Sequence, residues 1–264
     1  MKKLTLFSAL MLMMMPALAQ QQFSTPDIAA DALVNAISTQ DDTALGEILG
    51  DDWRHYLPSE GVDPQAVARF LRDWKVSHHI EQQGNTAHLN VGEENWQLPL
   101  PLQKSAEGWH FDMTAAADEI LTRTIGRNEL GAMQAMQAWV AAEHDYYQIN
   151  QRWAKKIISS EGQKDGLYWP TAPGETPSPL GPAFSPVTPG EGYHGYRFRI
   201  IAGADDQSVA LLAWPVEWGK TGVMSFMIDT SGALYQADSG EDTPDKAQTI
   251  ERYAPDDTWQ SVKQ

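Results

Sequence analysis

The sequence predicts an α+β chain in two parts, each opening on helices and closing on antiparallel strands. Three observations carry that expectation. Apolar residues recur at spacings of three and four up to about Val76, and the period drops to two between Ile80 and Met113. A long helical pattern from Thr114 to about Ile158 then precedes a second set of alternating strands. Helices grouped in one run and strands in the next suit antiparallel pairing, not a parallel sheet.

The first nineteen residues read as an export signal. Lys2 and Lys3 precede an apolar run from Leu4 to Met15, Pro16 breaks it, and Ala17-Leu18-Ala19 supplies the small residues a signal peptidase reads. The run is too short to cross a bilayer, which takes roughly 18 to 25 apolar residues. The mature chain is therefore expected to start near Gln20, to be periplasmic or secreted, and to stay out of the membrane after cleavage.

The first folded part is expected over residues 20–115. Thr25-Pro26-Asp27 offers a cap and a first-turn proline, followed by Ile28, Ala32, Leu33 and Ala36 at helical spacing. A short helix after Asp41-Asp42 carries Leu45, Ile48 and Leu49 until Gly50, and a third runs from Asp63-Pro64 to Val76 with Val67, Phe70, Leu71 and Trp74 on one face. Strands are expected at Ile80–Gln82, Thr86–Val91, Trp96–Leu102 and Trp109–Met113, separated by Gly84-Asn85, Gly92 and Glu107-Gly108 turns. They are expected to form a curved, cone-like sheet.

The second part, residues 116–264, begins with the long helix, whose Leu121, Ile125, Ala132, Met136 and Val140 form a stripe for burial. Residues 162–192 hold Pro170, Pro173, Pro177, Pro179, Pro182, Pro186 and Pro189, too many for regular structure. Leu167, Tyr168, Trp169, Leu180 and Phe184 in the same stretch argue for an ordered loop, not a solvated linker. A sheet over 193–238 is expected next. Tyr196, Phe198 and Ile200 face one side, Val209–Trp214 is apolar on both faces, and Met224, Phe226 and Ile228 point inward. Asp229-Thr230-Ser231-Gly232 turns into a last strand at Ala233–Gln236, and the residues beyond 238 read as an acidic tail.

Composition narrows the function. Thirty-five Asp and Glu outnumber 19 Lys and Arg, and the formal net charge of −16 argues against nucleic acid as a partner. The absence of cysteine excludes disulfides, thiol catalysis and lipidation next to the cleavage site. Stability must come from the core, which ten Trp and a hydrophobic fraction of 42% can supply.

The motifs give no catalytic set. Gly219-Lys220-Thr221 imitates the end of a phosphate-binding loop, but Trp214 stands where its first glycine belongs, so it reads as a turn. Asp229-Thr230-Ser231-Gly232 has no second copy with which to form a carboxylate dyad. His55, His78, His79, His88, His110, His144 and His194 include no pair at the spacing of a helical zinc site, and no metal is assigned. Asp238, Gly240, Glu241, Asp242 and Asp245 lack the order of a calcium loop. Neighbours such as His144-Asp145 point apart on a helix, and no nucleophile elbow exists.

Longer motifs carry a resemblance. Ile125-Gly126-Arg127-Asn128-Glu129-Leu130, Lys164-Asp165-Gly166-Leu167-Tyr168-Trp169-Pro170 and Ser178-Pro179-Leu180-Gly181-Pro182 come first. Tyr193-His194-Gly195-Tyr196, Ala213-Trp214-Pro215 and Gly222-Val223-Met224-Ser225-Phe226 come after them in order. Over nearly all of the mature chain the sequence resembles the exported bacterial domain of unknown function 2950 family, which implies no activity. The first half, through Gly108-Trp109-His110-Phe111-Asp112, is similar to the nuclear-transport-factor-2-like cone. The second half, through Asn128-Glu129, Tyr146-Tyr147, Gly195-Tyr196-Arg197-Phe198 and Gly222 to Gly232, resembles the globular part of pilins and pseudopilins. Pilins keep an apolar amino-terminal helix. Here the mature chain opens Gln20-Gln21-Gln22-Phe23-Ser24, so a soluble pilin-like domain without fibre assembly is implied.

Two functions stay in view. The first is a non-enzymatic exported binding or assembly module of the bacterial envelope, with an envelope protein, polymer or small apolar ligand as partner and no cofactor. Its expected binding surface is Tyr168, Trp169, Tyr193 and His194, aromatic groups held at a loop–strand junction. The second is a hydrolase of an envelope polymer, with the cone as pocket and His78, His79 or Glu81 as acid–base groups.

Overall fold

A computed structural model describes residues 20–56, 62–181 and 192–263. The export signal and Pro182, Phe184, Pro186 and Pro189 of the loop lie outside the described residues. The fold is α+β, with helices and two antiparallel sheets, and the chain divides into two compact units between Ile120 and Leu121.

In the first unit, α1 (Pro26–Thr39) is capped by Thr25, whose hydroxyl accepts from the Ile28 N–H at 3.3 Å. Helix α2 (Asp42–Leu49) is capped by Asp41, whose carboxylate accepts from Thr43 and Ala44. Gly50 ends it at a φ of 98° that other residues rarely adopt. A 3₁₀ turn (Trp53–Tyr56) and α3 (Pro64–Val76) come next, the latter capped by Asp63.

The first sheet runs β1-β2-β4-β5, with β3 paired to β2. Its strands are β1 (His78–Gln83), β2 (Thr86–Val91), β3 (Trp96–Gln97), β4 (Leu102–Lys104) and β5 (Trp109–Phe111). The single strand expected over Trp96–Leu102 is two, because Pro99 and Pro101 cannot donate to a ladder. Strand β5 stops at Phe111, not Met113, because Asp112 caps the next helix by accepting from the Ala115 N–H at 3.0 Å. One face of the sheet presents Ala87, Leu89, Val91, Leu102, Trp109 and Phe111 to Leu33, Ile48, Leu49 and Phe70 of the helices. Leu33 and Ala36 are buried as expected and Ala32 packs partly buried beside them, whereas Ile28 is half exposed and Ala29, Ala30 and Val34 widen the core-facing side of α1.

Helix α4 (Met113–Asn150) is shorter than the run expected to Ile158 and ends where Gln151 enters left-handed geometry at φ 50°. Of its expected stripe, Ala132 and Met136 are buried and Val140 packs partly buried, whereas Leu121 is exposed; the other buried positions in the second unit are Ala135, Trp139, Ala142, Glu143 and Tyr146. These alternate by three and four residues, as one face of a straight helix requires.

The second sheet has the order β10-β9-β8-β7-β6. It comprises β6 (Tyr196–Ala202), β7 (Val209–Pro215), β8 (Met224–Asp229), β9 (Leu234–Asp238) and β10 (Gln260–Ser261). One face carries Tyr196, Leu211, Ala213, Phe226 and Ile228 against Met136, Trp139 and Tyr146 of α4. The other carries Ile201, Ala210, Leu212 and Met227 against Ala247 and Tyr253. The expected acidic tail is therefore a folded element. Helix α5 (Thr243–Thr249) covers the second face, Arg199 donates to the Ile250 carbonyl at 2.8 Å, and Tyr253 donates to the Ala233 carbonyl at 3.0 Å. The signal for it was β7, whose two apolar faces need two covers.

Candidate functional site

The loop after α4 is built from inside outward. Leu167 and Leu180 are buried in the second core, and the Leu180 N–H donates to the Leu167 carbonyl at 3.0 Å. Residues 156–159 run beside 166–168, with the Tyr168 N–H on the Ile157 carbonyl at 2.8 Å and the Ser159 N–H on the Tyr168 carbonyl at 2.8 Å. Gly166 is required by space, since a Cβ there would lie 2.8 Å from the Lys156 carbonyl oxygen. Asp165 closes the turn by pairing with Lys156 at 2.6 Å and accepting from the Ser160 N–H at 2.8 Å. The Lys156 ammonium, then the Ser160 N–H, hold the Asp165 carboxyl down at about 2.

On this frame Tyr168, Trp169, Pro170, Thr171, Pro177, Ser178, Leu180 and Gly181 enclose a pocket of about 330 Å³. Tyr168 and Trp169 are each partly exposed. The Lys164 ammonium stands 5.4 Å from the Trp169 ring, at cation–π range. The Ser178 hydroxyl donates to the Leu180 carbonyl at 2.7 Å and fixes the far wall.

Tyr193 and His194 do not border this pocket. His194 sits against α4 instead, where a Cβ on Gly131 would run into its ring, and the Tyr193 ring packs edge-on against His194 at 4.2 Å. Here three of the sequence motifs converge on one clamp. Asn128 donates to the Thr221 carbonyl at 2.9 Å, and Glu129 accepts from both the Val223 and Met224 N–H groups at 3.0 Å. The Tyr196 hydroxyl donates to the Met224 carbonyl at 2.8 Å and presses so closely on Gly222 that no side chain fits there. Burial, then the Glu129 charge, pushes the Tyr196 phenol above its ordinary range. Sequence reasoning missed this clamp, because nothing in a single chain tells that residues 128 and 221 meet.

The hydrolase candidates are partly gathered. On one face of the first sheet Asn90, 4% exposed, donates to Glu81 at 3.3 Å and lies 3.4 Å from His79 Nε2. His88 is the cross-strand neighbour of Glu81. His78 points elsewhere, its ring stacked on Trp74 at 3.7 Å. A separate pocket of about 420 Å³ in the first unit is lined by Asp51, Asp52, Tyr56, His110 and Asp112 among others, without His79 or Glu81. No group of three His, Asp or Glu side chains among the described residues could hold a metal ion.

The strongly perturbed acid lies in neither pocket. Glu143 is fully buried on α4, one oxygen accepting from the Ala154 N–H at 2.9 Å and the other without a hydrogen-bond partner. Burial pushes its carboxyl up to about 7, opposed by the Ala154 N–H. The remaining motifs are turns. Gly219-Lys220-Thr221 joins β7 to β8, with Lys220 paired to Glu217 at 2.7 Å. Asp229 accepts from the Ser231 and Ala233 N–H groups in the β8–β9 turn. Asp238 accepts from the Gly240 N–H and the Trp218 indole.

An α+β chain with this pocket and clamp, and with no catalytic cluster recognised from its motifs, is defined so far by architecture alone. The family model described as Protein of unknown function (DUF2950) matches residues 20–262, and the chain belongs to that family. Comparison with curated proteins and with solved structures gives no match.

Proposed function

We propose that this chain is a non-enzymatic binding or assembly module of the bacterial envelope, with the Tyr168–Trp169 pocket as its binding site. The observation that carries the reading is that pocket: two partly exposed aromatic rings between prolines, on a loop pinned at Leu167, Asp165 and Leu180. Ligand sites are concave, largely preformed, and combine apolar walls with a few polar groups. Export is supported by the leader pattern, and by a family match that begins at residue 20, directly after the cleavage motif. The first unit is read as a nuclear-transport-factor-2-like domain and the second as a pilin-like one. The partner is an envelope protein or polymer. In the test, the tagged mature chain is incubated with envelope extract beside Trp169→Ala. Loss of one reproducibly captured component, with the melting temperature kept, supports the reading. Full capture by a fully stable variant overturns it.

A second reading, a hydrolase of an envelope polymer, is favoured by the gathering of His79, Asn90 and Glu81 on one sheet face. It predicts polymer cleavage by the wild type that Glu81→Gln abolishes at unchanged melting temperature. Absence of cleavage by the wild type removes it.

A further inference from the structure

We infer that the Tyr168–Trp169 pocket takes a single ring of a neutral saccharide, an inference that rests on the binding reading above. Its size comes first. About 330 Å³ is at the small end of ligand pockets, enough for one ring and too little for a folded peptide segment.

The lining chemistry comes second. A pyranose has an apolar face of C–H groups and a rim of hydroxyls, so it needs a flat aromatic wall and polar groups at the edge. Tyr168 and Trp169 supply the wall, and Thr171 and Ser178 supply hydroxyls. The Ser178 proton is committed to the Leu180 carbonyl, so Ser178 meets a ligand as an acceptor, while Thr171 is exposed and its hydroxyl can turn to donate or accept. A purely apolar occupant would cover the Thr171 hydroxyl and the free acceptor side of Ser178 without giving them a partner, which costs free energy.

Rigidity and charge complete the argument. Pro170 and Pro177 have fixed φ angles, and the loop beneath them is tied to the core, so little ordering is required on binding. The chain carries a formal net charge of −16, which repels anionic glycans and phosphate polymers. The nearby cation Lys164 already lies against the Trp169 ring, and Lys156 is paired with Asp165. Neutral sugars meet no such barrier.

The test uses the mature full chain with three probes: cellotetraose, the tetramer of N-acetylglucosamine, and tetragalacturonate as the anionic control. Saturation-transfer NMR reports contact, and a titration followed on the indole N–H signals gives the affinity. At least one neutral tetramer is expected to bind with a Kd on the order of 1 mM, the weak end of specific recognition. Trp169→Ala should weaken it tenfold or more, and Trp169→Tyr about threefold, with Thr171→Val as the rim variant if Trp169→Ala does not fold. Binding by neither neutral probe, tighter binding of the galacturonate, or unchanged affinity in the variants overturns the inference. An envelope capture that depends on Trp169 but resists excess neutral tetramer removes the saccharide and leaves the binding module standing. A capture indifferent to Trp169 removes both.

Discussion

Replacing Glu143 by Gln should flatten a pH dependence that the structure builds into the second unit. The carboxyl is fully buried, and a single N–H, that of Ala154, faces one of its oxygens. Burial raises it from 4.5 to about 7 in the folded protein. Between those values the folded state holds the proton and the unfolded chain has lost it. Stability therefore falls as pH rises through the window and stays lower above pH 7. A gap of one pH unit between the folded and unfolded pKa is worth about 1.4 kcal/mol, so the full loss is about 3 kcal/mol. The Glu143→Gln variant would keep an oxygen for the Ala154 N–H and would not titrate, at a constant cost of about 1–3 kcal/mol for its unpartnered amide. The assay is guanidinium unfolding of both proteins from pH 4.5 to 8, fitted with one transition per unit. Other carboxylates move both curves alike, so the difference between the proteins isolates Glu143. It should shift by about 3 kcal/mol in favour of the variant across the range. Parallel curves would refute the reasoning, as would an NMR titration placing the Glu143 carboxyl near 4.5.

Three further expectations concern the start of the chain, metal and the clamp. Intact mass spectrometry of the protein from its native host should show a start at or near Gln20, and a membrane-bound form retaining Met1 would contradict it. Chelation should leave the melting temperature unchanged, whereas stripping a structural zinc would remove on the order of 10 kcal/mol. Glu129→Ala should destabilise the second unit by about 2–5 kcal/mol in denaturant unfolding, because two part-buried N–H groups lose a charged acceptor together; a change below about 0.5 kcal/mol would mean water replaces it fully.

How far the fold could be read in the sequence depends on the range of the forces involved. The caps at Thr25, Asp41 and Asp63 and the alternation in β2, β6 and β8 are local, and each element formed where its own residues direct. Misreadings came where a neighbour overrode the local pattern. Pro99 and Pro101 split one strand, Asp112 took the end of another for a helix cap, and α5 packs Ala247 over the second apolar face of β7. The candidate site was half legible. Tyr168 and Trp169 are adjacent in the chain and share a pocket, whereas Tyr193 and His194 lie at the far end of the loop, and the fold sends His194 to Gly131 with Tyr193 against its ring. Glu143 carries no local sign of its burial, and the Ala154 N–H that meets its carboxylate lies beyond the end of α4.

The motifs that identify the family divide on the same basis, and the division bears on where function lies. Asn128, Glu129, Tyr196 and Gly222 are each accounted for by the clamp that joins α4 to the β8 end of the sheet. Asp165 and Gly166 belong to the turn supporting the loop, Leu167 and Leu180 to the core beneath it, and Lys164 lies against the Trp169 ring. A residue whose identity packing already demands gives no independent evidence of a ligand. Trp169 is different. Its indole N–H has no hydrogen-bond partner, its ring is partly exposed, and it borders a pocket that the loop's anchors do not need. Trp169 is therefore a motif position that the clamp and the loop's anchors leave unexplained, and substitution there separates a fold-maintaining role from a binding one.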